Sequence, residues 1–212
     1  MPSWPVYLTA AKDTIVAAAA AVGLWYGWQS LSTWRRQMAG QVHWELARRM
    51  LRNVYAVRDA LNFVRGPFMT GGEIAAALDK RPKLTQPLNE QQEQARGLAV
   101  AYEDRWSRVQ QAFSELDTTR LEAEVLWGAD AAAALEPLRG VIRDLQVALY
   151  LYLTSQGGRR DRTEALNSAE VTVFGIPGED GRDAYADKLS AAIAKVEQYI
   201  RPRLKTYSST SA

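Results

Sequence analysis

Histidine occurs once in this chain, at His43, and cysteine does not occur. Those two facts decide much of the available chemistry. Without cysteine there is no disulfide, no thiolate metal site and no sulfur nucleophile. One imidazole excludes a histidine-rich zinc site, and any Ser/His/Asp arrangement would have to be built on His43. Carboxylates cluster at Glu122/Glu124, Glu103/Asp104 and Glu179/Asp180. Residues two apart on a helix do not share a face, and adjacent ones are usually solvated, so none of these pairs forms an acid–base couple or a metal site. Gly71-Gly72 and the glycines from Gly175 to Gly181 lack the strand-to-helix setting of a phosphate-binding loop. The expectation is no catalytic residue, no cofactor and no metal.

Arginine is the other residue type with chemical potential, and its placement is uneven. The 212 residues carry a net charge of +2, yet residues 35–65 alone carry +5: Arg35, Arg36, Arg48, Arg49, Arg52, Arg58 and Arg65 against Glu45 and Asp59. Residues 1–34 hold Lys12 and Asp13 and sum to zero, leaving −3 on the remainder. Arginines on one helix can neutralise nucleic-acid phosphates, but the interleaved acids and a strong apolar stripe argue against a groove for RNA or DNA. No nucleic-acid partner is expected. A basic block directly after an uncharged stretch is the arrangement found beside an anionic membrane surface, which assigns Arg48, Arg49 and Arg52 to lipid contact.

The uncharged stretch runs from Thr14 to Trp34, 21 residues. As a helix it would reach about 30 Å, the thickness of a hydrocarbon core. Five consecutive alanines make insertion marginal, while aromatic side chains bracket the stretch, with Trp4 and Tyr7 before it and Trp25, Tyr26, Trp28 and Trp34 towards its end. Together with Arg35 and Arg36 they form the expected membrane interface. The arginines follow the apolar run rather than precede it, unlike a cleaved signal peptide. By the positive-inside rule the N-terminus lies outside and residues 35–212 lie in the cytoplasm, for a single-pass protein of a bacterial inner membrane. Ala19, Gly23 and Gly27 recur every four residues, and a small-residue face of this kind lets a second copy of the helix approach closely.

Helical spacing continues through Met38, Val42, Leu46, Met50, Val54, Val57, Leu61 and Val64, so the anchor can run straight into a basic membrane-proximal helix over 35–65. Residues 66–88 are rich in breakers and read as a loop or hinge, with one short helix near Glu73–Leu78. Asn89 is a plausible N-cap for a long helix whose core-facing seam contains Leu98, Tyr102, Trp106, Val109, Phe113 and Leu116. That seam is the fallback interface if the small-residue face is not used. A further apolar turn, Leu121 to Trp127, stops at Gly128, after which Asp130 is placed to cap a helix carrying Leu135, Leu138, Ile142, Leu145, Leu149 and Leu153. Glu170–Phe174 alternates as a strand or an extended loop would. A last helix from near Asp183 is expected to stop at Pro202, before a polar tail over 205–212. The fold class is therefore all-α: one N-terminal transmembrane helix, about 14–34 within a region 1–34, followed by an antiparallel bundle of about four helices, its main domain at 89–204.

Two resemblances bear on function. Trp34-Arg-Arg-Gln-Met-Ala-Gly40, the run Trp44-Glu-Leu-Ala-Arg-Arg-Met-Leu-Arg-Asn-Val-Tyr-Ala-Val-Arg-Asp-Ala60 and Arg65-Gly-Pro67 resemble the membrane-proximal helix of bacterial single-pass proteins of no assigned activity. Val173-Phe-Gly175 and Tyr199-Ile-Arg-Pro-Arg-Leu204 are similar to their last segment. The resemblance covers about half of the chain, implies an anchor followed by helices, and assigns no catalytic residue. Arg36 and His43, two helical turns apart, resemble the spaced pair of helical RNA-cleaving domains, in which a base and a cation act on a phosphodiester; at a membrane boundary the same pair reads as an arginine on lipid phosphate and a solvated histidine. The expected function is a membrane-anchored, non-catalytic interaction scaffold with the bilayer, a further copy of itself and an unidentified protein as partners. The alternatives are an oligomeric membrane-perturbing effector and, more remotely, a ribonuclease.

Overall fold

Pro5 sits in the first helical turn, where a missing N–H costs nothing, and no further proline occurs before Pro67. Between them the chain forms one uninterrupted helix, α1 (Trp4–Val64), of 61 residues and so about 90 Å. The computed structural model describes residues 4–66, 69–81, 88–156, 163–178 and 181–208. The backbone does not break between Trp34 and Arg35, as the continuous spacing predicts. Among the described residues, no helix is long and apolar enough to cross a membrane. The expected span over 14–34 is thus a helix, but one whose apolarity is diluted by Gln29, Ser30, Ser32, Thr33 and its run of alanines.

Among the described residues, five further helices follow. Thr70 caps α2 (Gly71–Asp79) through the Glu73 amide. A reciprocal capping box of Asn89 and Gln92 starts α3 (Glu90–Trp127), as Asn89 predicts. Gly128, at φ 81°, turns the chain directly into α4 (Ala129–Gln156), so Asp130 lies inside the first turn instead of capping it. The alternating run at Glu170–Phe174 is not a strand. It ends α5 (Glu164–Phe174), which Thr163 caps at one end and left-handed Gly175 closes at the other. Pro202 does not stop α6 (Ala184–Ser208): the helix continues past it, with Ile200 buried and Leu204 packed on the core. Asp183 caps its start by accepting from the Tyr185 and Ala186 amides.

α1, α3, α4 and α6 form a closed ring in which each packs on the next, with α2 against α3 and α5 against α4. Pairs between neighbours fix the directions. Along α1 and α3, His43 meets Trp127, Arg49 meets Glu122, and Asn53 meets Thr119. Along α1 and α6, Tyr55 meets Glu197 and Arg65 meets Asp183. Numbers rise on one helix as they fall on the other, so the four-helix bundle is antiparallel. Its core is a single cluster including Leu46, Met50, Val57, Leu61, Val109, Leu135, Leu145, Leu189, Val196 and Ile200. The Tyr102/Trp106/Phe113 seam is used up here, with Tyr102 buried and the other two half-buried against the cluster, so it is not free to hold a second copy.

Candidate functional site

Burial on α1 begins at Leu46 and recurs at Ala47, Met50, Val54, Val57, Leu61 and Val64, a stripe at steps of three and four. N-terminal to it the pattern changes. Val22, Leu24, Trp25, Tyr26 and Trp28 are all exposed, Trp25 at 65%. At 100° per residue these five positions span about 200° of the helix, and the remaining arc is that of Gly23 and Gly27. The side chains of Trp4, Tyr7, Ala19, Gly27, Trp34, Arg35 and Arg36 lie outside the described residues. At Gly23 an added methyl would meet nothing within 4 Å, so that part of the small-residue face is open.

Where α1 joins the bundle, four side chains interlock. The Trp127 indole N–H donates to His43 Nδ1 at 2.8 Å, and the two rings stack at 6.5 Å and 23°. Tyr199 meets Trp127 edge-on at 6.3 Å. Arg203 covers both rings, 3.9 Å from the Tyr199 centroid and 4.9 Å from that of Trp127. His43 is half-buried, and its Nδ1 accepts from the donor-only indole. It therefore ties α1 to α3, in place of the solvated histidine expected from sequence.

Arg48, Arg49 and Arg52 occupy the outward face of α1 just beyond this junction and, with Glu45, line a shallow depression of about 230 Å³. The Arg48 guanidinium lies 5.6 Å from the centre of the Trp44 ring, and Arg49 reaches across to Glu122 at 3.0 Å. Both sides of that pair are more than 40% exposed, so it costs little to break. Sequence reasoning treats Leu121–Trp127 as one apolar turn, but only Ala123 is buried there and Trp127 half-buried. Leu121, Val125 and Leu126 face outward, Val125 at 85% exposure. Extending the burial phase Val109, Leu116, Ala123 along α3 is the signal that separates them.

Two other arginines are buried at the opposite end of the bundle, and neither stands out in sequence. Arg65, though part of the basic block, lies some 33 Å along α1 from His43. It pairs with Asp183 at 2.8 Å, donates through Nε to the Thr172 carbonyl at 2.7 Å and sits 4.4 Å from the Tyr185 ring centre. Burial pushes the Asp183 carboxyl up, but the Ala186 amide, the Arg65 guanidinium and the Tyr185 amide together hold it below its usual value. Arg105 grips Glu73 with two parallel bonds of 2.6 and 2.8 Å and donates to the Gly66 carbonyl at 2.9 Å. Its hydrogen bond lowers the Glu73 pKa despite burial. Arg105 continues the seam as Tyr102–Arg105–Val109, a cation at a core position. Together these two arginines tie α3 to α2 and the end of α1, and tie α1 to α5 and the start of α6.

Among the described residues, no cluster of three or more histidine, cysteine, aspartate or glutamate side chains is arranged to hold a metal. The most chemically distinctive surface is the arginine face of α1 with the outward apolar side chains of α3 beside it. No protein-family model, no curated protein and no solved structure matches the chain.

Proposed function

We propose that this chain is a membrane-attached helical interaction protein. The first part of α1 is its attachment and the four-helix bundle is the working domain on the cytoplasmic side of a bacterial inner membrane. The observation that carries the reading is the exposure of Val22, Leu24, Trp25, Tyr26 and Trp28 over more than half the circumference of one helix. A surface helix in water buries its apolar stripe against the protein, whereas an exposed apolar arc this wide, closed by a small-residue face, calls for apolar surroundings. Arg35 and Arg36 after the stretch favour retention of the bundle on the cytoplasmic side.

The low apolarity of residues 14–34 makes insertion of a lone helix marginal and gives the aromatic residues and the open face at Gly23 a purpose: interfacial anchoring and lateral pairing. The partners in this reading are the bilayer, a second copy of α1 and a protein that uses the bundle. Two measurements test it together. Membranes washed with alkaline carbonate should retain the protein, and a reporter that works only in the cytoplasm should be active when fused after Ala212. Release by carbonate would mean that α1 lies on the surface rather than across the membrane, and activity of a periplasmic reporter at Ala212 would reverse the orientation.

A further inference from the structure

We propose that the bundle does not stand clear of the membrane but leans onto an anionic lipid surface along its α1–α3 side, with Leu121, Val125 and Leu126 entering the headgroup layer between Arg48, Arg49 and Arg52. This deepens the membrane reading above and rests on it. Three observations point to that occupant. On α3, Leu121 and Val125 lie four residues apart, on the face turned directly away from buried Ala123. The Arg49–Glu122 pair joins this apolar strip to the arginine face of α1, so the two form one surface. That surface is cationic, with three arginines against Glu45 and the engaged Glu122, and it lies at the end of the bundle from which the exposed apolar part of α1 emerges. Apolar side chains set among arginines beside an apolar helix match the acyl boundary and the phosphates of an anionic leaflet.

Geometry sets the direction of the lean. Trp127 is level with His43, so Val125 is level with Glu45, eleven residues and about 16 Å along α1 from Trp34. A headgroup layer is about 5–8 Å thick on each side, so an upright bundle would hold Val125 in water. Because α3 runs roughly 8–10 Å to one side of α1, tilting α1 towards α3 lowers Val125 first and Leu121 next, within the tilts of up to about 40° that membrane helices adopt. Tilting towards α6, the other neighbour of α1 in the ring and about a quarter-turn away, would lower that helix instead, so the contact selects one azimuth.

The absence of cysteine makes the test direct, because a spin label attaches only where a cysteine is introduced. The full chain is reconstituted in vesicles of phosphatidylcholine with one third phosphatidylserine, labelled singly at Leu24→Cys, Val125→Cys or Val147→Cys, and probed with oxygen and a water-soluble nickel chelate. Val147 is an exposed control on α4, across the ring from α1. The expected result is an oxygen-to-nickel collision ratio at Val125 several-fold above that at Val147. Replacing Arg48, Arg49 and Arg52 together with glutamine should bring it down to the Val147 value. A Val125 label as open to nickel as the Val147 label overturns the docking, and a label shielded from both reagents overturns it in favour of a protein contact. The Leu24 label separates the two levels: lipid-immersed Leu24 with water-exposed Val125 defeats the docking alone, while water-exposed Leu24 defeats the anchor, whatever Val125 reports.

Discussion

Arg105 is buried with its charge intact because every direction it faces is answered: Glu73 on one side, the Phe63 and Gly66 carbonyls on another, and the Phe63 ring below. Truncating it to alanine leaves a half-buried carboxylate and two carbonyls without their donor, so Arg105→Ala should lower stability by about 3–5 kcal/mol in urea unfolding. Glu73→Gln tests the same clamp through pH. The folded state holds the Glu73 pKa below its ordinary 4.5, so the stabilisation is fully present above that value and is lost as pH falls through the lowered folded value. The variant should therefore melt below the parent at pH 7, and the gap should close as pH drops below about 4. A gap that does not change with pH would mean that packing rather than charge carries the effect. Gly175 is constrained differently. Its φ of 62° suits glycine, and an added Cβ would lie 3.3 Å from the Arg65 guanidinium, so Gly175→Ala should cost about 1–2 kcal/mol and disturb the Asp183 pair.

Among the elements, α2 depends on the absence of one side chain. A Cβ on Gly97 of α3 would come within 2.7 Å of Ile74 and 3.4 Å of Leu78, so the short helix sits directly on bare backbone. Gly97→Leu should push α2 away while the four-helix ring persists. Hydrogen exchange would then show lost protection over Gly71–Asp79 and little change in α4, whereas loss of protection throughout would make α2 part of the cooperative core. The long helices were legible from their apolar spacing, and the starts of α3 and α6 from Asn89 and Asp183. The strand reading at Glu170–Phe174 failed because alternating valines on a short helix buried on one side imitate period two; Thr163 and Gly175, a cap at each end, were the better guide. Pro202 was misread as a stop because its local cost is outweighed by the burial of Ile200 and Leu204, a tertiary effect. The arginine clamps were hidden for a related reason: Arg65 finds its partner 118 positions away, and Arg105 finds its partner 32 positions away. No local pattern encodes such a pair.

At the scale of the whole molecule, the two ends of the bundle differ in kind. The far end is fastened by buried ion pairs. The near end holds exposed arginines, exposed apolar side chains and an aromatic interlock, and its binding to anionic vesicles should weaken steeply with salt, since each basic residue near such a surface contributes about 1 kcal/mol. Replacing Arg48, Arg49 and Arg52 with glutamine should remove most of that salt dependence, as measured by the oxygen-to-nickel collision ratio of the Val125 label in the reconstituted full chain; an unchanged dependence would assign the three residues to another partner. The unbroken course of α1 through both regions has a mechanical corollary. A continuous helix is a torsionally coupled rod, so the azimuth of its projecting part is phased to the bundle residue by residue. Each alanine inserted after Ala39 would turn one part against the other by about 100° and lengthen the rod by about 1.5 Å. Lipid contact at Val125 should then vary periodically with the number inserted. It should be weakest near two and largely restored at seven, where the residual offset is only about 20°.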